Sequence, residues 1–366
     1  CTYDGDIFTI DNIEVTGDPL NLLNDKIDEW SMHNHSSLSA IGIINYDFKN
    51  ILFPHLNIKK ISSSYPLLWF AKPKIIIEFN NENLCDFFGS DFKMELISDL
   101  PNVDNYGKAI SKIKDYLKNG DVYQINYTNP KKYKINGNPL SIYSELRNIA
   151  EPKNGYYINT GYNYILSLSP ESFFTVNNNI IETKPIKGTR SRASNQQDDY
   201  DKINELKNSE KDLAEHLMIV DLLRNDLGKI CEYGSIDVQE LFSIRDYPTV
   251  YQMVSCIYGE LRGKISYIDI FKALCPGGSI TGAPKESSMK IIDLLENYNR
   301  GLYTGNIGYI DYNSDMHFNM AIRTMIIKKH IAQYCVGGGI VWDSCAEEEW
   351  YEAQLKSKIL DKFIRG

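Results

Sequence analysis

The sequence predicts an α+β fold with antiparallel sheets. Three observations carry that expectation. Short apolar runs recur between polar turns, amphipathic helical stretches are interspersed among them, and the two kinds of element lack the regular βα alternation of a parallel sheet. With 366 residues the chain is long enough for one large domain or two ordinary ones. Its 43% hydrophobic and 24% charged residues are the proportions of a soluble globular protein. A formal charge of -9 argues against nucleic acid or an anionic membrane as partner, because no global positive field exists to attract either. The start lacks a basic stretch followed by an apolar run, and no apolar stretch reaches the roughly 18 residues of a membrane span. Seven cysteines (Cys1, Cys85, Cys231, Cys256, Cys275, Cys335 and Cys345) are an odd number without CxxC spacing, which favours reduced thiols in a cytoplasm over disulfides or a zinc site.

The elements follow in order. Residues 1–105 form an N-terminal, mostly strand portion: LSAIGIINYDF and PLLWFAKPKIIIEF are apolar runs between polar, Asn-rich connectors such as NNEN and NNN. Residues 106–366 carry the chemistry. A helical pattern runs from Tyr106 to Gly120, and strand-like segments (DVYQINYT, YNYILSLS, SFFTV) lead into TKPIKGTR. A long helix follows, with Ser209 as N-cap and Leu213, Leu217, Val220 and Leu227 as its apolar stripe. YPTVYQMVSCIYGEL reads as strand. The Gly-rich turn PGGSITGAPK then feeds the helix ESSMKIIDLLEN. The strands YTGNIGYIDY and FNMAIRTMII and a glycine triplet precede a closing helix, AEEEWYEAQLKSKILDKFI.

Several of these segments carry groups suited to an anionic substrate. Backbone N–H groups and the helix dipole make PGGSITGAPK a candidate anion site; a plain tight turn accounts for the same residues, and the spacing is not that of a nucleotide P-loop. Gly337, Gly338 and Gly339 would let backbone approach a ligand closely, or would mark a bulge. Arg323 interrupts FNMAIRTMII, with apolar Ala321 and Met325 as its expected same-face neighbours; its guanidinium needs an anion, either a substrate carboxylate or an internal acid. Asp212 and Glu215, and likewise Glu349 and Glu352, share an i,i+3 spacing near helix starts. Such pairs either complement the helix dipole in solvent or, brought together, form an oxygen-rich Mg²⁺ site. Lys184 and Lys187 follow a strand, and a lysine in a dry setting can lose its proton and act as a nucleophile.

Together the segments GDVYQIN, SPESFF, TKPIKGTR, AEHLMIVDLLRNDLG, PGGSITGAPK, GLYTGNIGY, AIRT and GGGIVWDS…EEEWYEAQLKSK resemble, in order, the chorismate-utilising enzymes. That family includes the anthranilate, aminodeoxychorismate, isochorismate and salicylate synthases. The resemblance covers about Asn119 to Lys358 and is faint in the N-terminal third. It implies two antiparallel sheets packed face to face with helices outside, and Mg²⁺ on the ring carboxylate of chorismate. Glu215 and Glu352 match direct metal ligands; Asp212 and Glu349 match positions that act through water. Tyr303, Arg323 and the Gly339 N–H match the enolpyruvyl-carboxylate side, and Ser279 with its turn matches the ring-carboxylate side.

Two positions bear on the branch. Lys187, in PIKGT, stands where anthranilate synthases usually have alanine and resembles the aminodeoxychorismate synthases, whose lysine bonds covalently to the ring; Glu171, in SPESF, then matches a general acid/base. Gln124, in VYQIN, replaces the water-activating lysine of the isochorismate and salicylate synthases and cannot abstract that proton. The histidine that many relatives carry at Gln252 is missing. No segment resembles a glutaminase, so ammonia is expected from a separate glutamine amidotransferase. The resemblance leaves anthranilate synthase component I and a non-catalytic chorismate-binding paralogue as other readings.

Overall fold

Two antiparallel sheets account for the strands of the computed structural model, which describes residues 1–32, 37–58, 65–78, 92–193, 195–247, 250–263 and 265–364. The first has twelve strands among the described residues. It runs from Ile186–Ser191 through Val250–Glu260, Ile180–Thr183, Ser172–Asn177, Met316–Met320 and Asn306–Asp311, with Asp237–Asp246 beside Val250–Glu260. It then continues into the N-terminal third through Leu38–Ile44, Leu68–Ala71, Thr2–Tyr3, Phe8–Ile10 and Ile13–Glu14. The second sheet, of seven strands, orders Gly282–Ala283, Gln124–Gly137, Ile331–Ile340, Thr324–Lys328, Tyr164–Ser167 and Tyr156–Asn159, with Phe92–Ser98 beside Gln124–Gly137. Every strand pairing in either sheet is antiparallel.

The alternating pattern of each strand decides which faces meet. Ile43 and Ile307 of the first sheet cluster with Ile165 and Ile326 of the second, so the sheets pack on one another through their inner faces. On the first sheet's other face, Phe174 and Phe318 stack at 5.4 Å between ring centres, and Phe271 of the helix Tyr267–Leu274 meets Phe318 edge-on at 5.3 Å. The helices Pro19–Met32 and Glu210–Leu227 share that core. The second sheet is covered by Pro139–Ala150 and Ala346–Ser357 through Leu146, Tyr133, Tyr334 and Ala353. Ile110 and Ile113 of Val103–Lys118 pack with Ile125, Ile291 and Ile340. No helix among the described residues is long and apolar enough to cross a membrane.

Four expectations need correction. FNMAIRTMII is not one strand: Met316–Met320 belongs to the first sheet and Thr324–Lys328 to the second, and the chain crosses between them at Arg323, whose φ is +49°. In PLLWFAKPKIIIEF the strand stops at Ala71, two residues before Pro73, and Ile75 and Ile77 are 80% and 67% exposed. In Glu210–Leu227, capped as expected by Ser209, Leu217 is exposed and the buried face instead holds His216, Ile219, Val220, Leu223 and Leu227. The closing helix ends at Ser357 and tightens into a 3₁₀ turn, Lys358–Phe363. The NNEN connector and Cys85 lie outside the described residues.

Gly308 of Asn306–Asp311 pairs with Gly42 of Leu38–Ile44 on one side and Phe318 on the other. A Cβ at Gly308 would lie 2.1 Å from the His317 carbonyl oxygen, which no side-chain movement relieves. Gly308→Ala is expected to destabilise the fold by about 2 kcal/mol, read as a lower midpoint in denaturant unfolding at unchanged slope; an unchanged midpoint would contradict this packing.

Candidate functional site

The edge strand Ile186–Ser191 carries Lys187. Its register against Val250–Glu260 shifts between Lys187 and Thr189, with Gly188 at φ +72° between them, and such a bulge re-aims the neighbouring side chain. A Cβ at Gly188 would also lie 3.2 Å from Asp212, so glycine here permits close approach of the Glu210–Leu227 helix. Lys187 is half-buried, and burial, its largest influence, lowers the pKa of its amine; the nearby Glu215 and Glu171 carboxylates oppose this.

Glu171 stands immediately before Ser172–Asn177, where its carbonyl accepts a hydrogen bond from the Met320 N–H. Burial raises its carboxyl to about 7, against the opposing effects of Lys187 and of a hydrogen bond from Ser279. That bond runs from Ser279 Oγ to Glu171 Oε1 at 3.3 Å, and Ser279 sits in the 3₁₀ turn Gly278–Ile280 of the Gly-rich segment. The structure therefore joins Lys187, Glu171 and Ser279, all three expected from the sequence.

The second sheet closes the opposite side. Gly339 pairs with Asn126, placing it beside Gln124. A Cβ at Gly339 would come 2.3 Å from Gln124 Nε2 and 3.2 Å from Lys187 Nζ, so backbone, amide and amine converge on one point. Gln124 is fully buried, yet among the described residues its Nε2 and Oε1 have no hydrogen-bond partner, an arrangement that costs free energy unless a ligand supplies the bonds.

The four carboxylates line the neighbouring region. Glu215 lies one turn after Asp212, and Asp212 Oδ2 accepts a 2.8 Å hydrogen bond from Arg190. Burial raises Glu215, opposed by Lys187 and reinforced by Asp212 and Glu349. Glu349 is likewise raised, first by burial, while Ser344 Oγ donates to its Oε1 at 2.6 Å. A Cβ at Gly338 would lie 3.3 Å from Glu349 Oε2 and 3.7 Å from Glu352 Oε1, which puts this acidic pair over the glycine strand. Burial pushes the half-exposed Glu352 up, but the Lys356 ammonium, 2.5 Å from its Oε1, together with Lys187 and Lys211 outweighs this and leaves it lowered. Among the described residues no three His, Cys, Asp or Glu side chains close into a metal cage. Mg²⁺, which takes one or two carboxylates and keeps several waters, would find its oxygen donors here in Glu215 and Glu352, with Asp212 and Glu349 beside them.

Arg323 is placed differently from the strand position expected for it. Arg323 Nη1 donates to the Lys356 carbonyl from the crossover between the sheets, rather than standing in a strand between Ala321 and Met325. The Tyr303 ring is buried, and burial strongly raises its hydroxyl, but it makes no hydrogen bond to Arg323 or Gly339 among the described residues. Sequence reasoning missed Lys356, which also donates to the Gly337 carbonyl at 2.8 Å; its i+4 position after Glu352 was the available signal. It also missed His216, whose Nε2 meets Ser255 Oγ at 2.7 Å and whose Nδ1 is buried without a partner among the described residues. Burial, then the Lys187 charge, lowers that imidazole to about 4. Gln252 lies in the strand register opposite Thr189 and Arg245.

Known proteins resemble this chain along most of its length. The chain is 35% identical to anthranilate synthase component 1 of Saccharolobus solfataricus over 96% of its own length and 87% of the relative's. It is 41% identical to aminodeoxychorismate synthase component 1 of Bacillus subtilis over 71% of its length, spanning 56% of that relative. Crystalline anthranilate synthase component I from Streptococcus pneumoniae superposes with a TM-score of 0.81 at 27% identity, covering 98% of this chain and 88% of the other. The pattern of the chorismate binding enzymes matches residues 4–362, and the chain belongs to that family.

Proposed function

We propose that the chain is an aminodeoxychorismate synthase component I, converting chorismate and ammonia to 4-amino-4-deoxychorismate for p-aminobenzoate and folate synthesis in the cytoplasm. The observation that supports this branch is Lys187 beside Glu171, an amine and a carboxyl whose surroundings move their proton affinities toward one another. Anthranilate synthase component I is the second reading, favoured by the relative matched along nearly the whole chain.

In the proposed reaction the neutral Lys187 amine attacks the ring carbon beside the carboxylate-bearing one. The double bonds shift, and the distant hydroxyl departs as water with a proton from Glu171. Ammonia then attacks that vacated carbon, the double bonds return, and the lysine is expelled as an amine. A lysine on the near carbon denies that position to ammonia, which accounts for amination at the far one. Glu215 and Glu352 would hold Mg²⁺, with Asp212 and Glu349 acting through water. The cation would supply Lewis-acid neutralisation of the ring carboxylate. Ser279 and its turn bind that carboxylate, Gly339, Arg323 and Tyr303 hold the enolpyruvyl carboxylate, and Gln124 offers hydrogen bonds without serving as a base for water. Ammonia comes from a separate glutamine amidotransferase, and ammonium salts substitute for it.

Three outcomes are expected with chorismate, Mg²⁺ and ammonium. Lys187→Ala lowers kcat at least a hundredfold, whereas an unchanged rate sinks the covalent role; a fluorescent anthranilate product in the unsubstituted chain would favour the second reading. At constant free ammonia the kcat profile carries a titration near pH 7 from Glu171, which Glu171→Gln removes, and a profile left unchanged by that substitution would contradict the assignment. Gly339→Ala leaves thermal unfolding within a few degrees but raises KM about tenfold or more by pushing its methyl into Gln124 and the ligand space; an unaltered KM would remove Gly339 from the site.

A further inference from the structure

Arg300 is 1% exposed and lies outside the residues given a role in the reaction. Its Nε and Nη2 grip the Glu296 carboxylate at 2.8 and 2.7 Å, a bidentate pair. Of the remaining donors, Nη1 goes to the Ile280 carbonyl at 2.8 Å and to Thr304 Oγ1 at 3.3 Å, and Nη2 to the Asn126 carbonyl at 2.6 Å. Ile280 follows Ser279 directly, and Asn126 lies two residues beyond Gln124 on the same strand. The two segments are also joined by Asn126 N to the Thr281 carbonyl at 2.8 Å and Asn126 Nδ2 to the Ile280 carbonyl at 2.9 Å. Glu296 completes the clamp by accepting from Thr128 N and Oγ1 at 2.9 and 2.7 Å.

The N-terminal third closes the arrangement. The Tyr46 ring lies 4.6 Å from the Arg300 guanidinium carbon, the Tyr46 N–H donates to the Gly301 carbonyl at 2.8 Å, and the Gly301 N–H donates to Asp47 Oδ2 at 3.1 Å. A buried ion pair is weak as a source of stability, since apolar residues of equal volume often do better. What a planar five-donor fork supplies, and an apolar residue does not, is a fixed distance between two backbone segments.

We propose that Arg300 is a positioning residue, which sets the Ser279 turn and the Gln124 strand at the spacing the substrate's carboxylate side requires, and that Tyr46 holds Arg300 in that pose. This gives the N-terminal third a part in substrate binding. The proposal rests on the reading of this turn as a carboxylate site.

The test combines steady-state kinetics with chorismate and ammonium and hydrogen exchange of residues 276–284. Arg300→Lys keeps the charge but loses the fork. It is expected to raise KM for chorismate about tenfold with a smaller change in kcat, and to accelerate exchange in 276–284. Tyr46→Leu is expected to raise KM roughly threefold. Tyr46→Phe keeps the ring and removes a buried hydroxyl that has no partner, so it leaves KM unchanged. Leu146→Ala, in the helix Pro139–Ala150 and in a hydrophobic cluster that holds neither Tyr46 nor Ile280, serves as a destabilised control and should lower the unfolding midpoint without changing KM. Wild-type KM and exchange in Arg300→Lys, or an equal rise of KM in Leu146→Ala, would overturn the proposal. Absence of turnover in the unsubstituted chain would instead remove the parent reading, while the exchange data would still report whether Arg300 holds the turn.

Discussion

Desolvation of one amine is the constraint on which the rest of the site depends. An exposed lysine at neutral pH is an ammonium ion, with no lone pair to offer a ring carbon. Lys187 is drawn toward the neutral form by burial, while Glu215 and Glu171 pull it back, so its charge state reflects a contest between solvation and neighbouring carboxylates. The fold sets up that contest. The bulge at Gly188 turns the side chain, the same glycine admits the helix bearing Asp212 and Glu215, and the second sheet brings Gly339 and Gln124 over the amine. Separating the sheets by even a water layer would rehydrate Lys187 and Glu171 together.

Glu171 shows the complementary effect. Burial penalises its anion, so the carboxyl keeps a proton close to neutrality, and the Ser279 hydrogen bond and the Lys187 charge only moderate this. One shielded pocket thus moves the amine and the carboxyl each toward its uncharged form, the direction that the proposed attack and leaving-group departure would use. The acidic residues on the two helices differ in kind. Asp212 and Glu349 accept hydrogen bonds from Arg190 and Ser344, whereas Glu352 is paired with the Lys356 ammonium, which also donates to the Gly337 carbonyl.

Much of this was legible in the sequence because it is written locally. The Ser209 cap, the i,i+3 acid pairs, the Gly-rich turn before Lys285–Leu295 and the α+β character each depend on neighbours a few residues apart, and the structure keeps them. What failed is non-local. Arg323 reads as part of a strand because FNMAIRTMII is largely apolar, and periodicity cannot reveal that its halves belong to different sheets. Leu217 was read as buried because leucine is apolar, whereas the helix turns His216 inward onto Ser255, 39 residues away. Arg300 was overlooked because its partners, Asn126, Ile280 and Tyr46, are scattered over the chain. The N-terminal third, silent as sequence, supplies five strands to the first sheet and the ring that packs on that arginine.

The central claim is a covalent bond between Lys187 and the ring, and mass spectrometry addresses it directly. The chain would be mixed with chorismate and Mg²⁺ in the absence of ammonium, quenched in acid and digested. The account predicts an adduct of chorismate less one water on the peptide containing Lys187, discharged when ammonium is added before the quench. Continued formation of aminated product with that peptide never modified would contradict it.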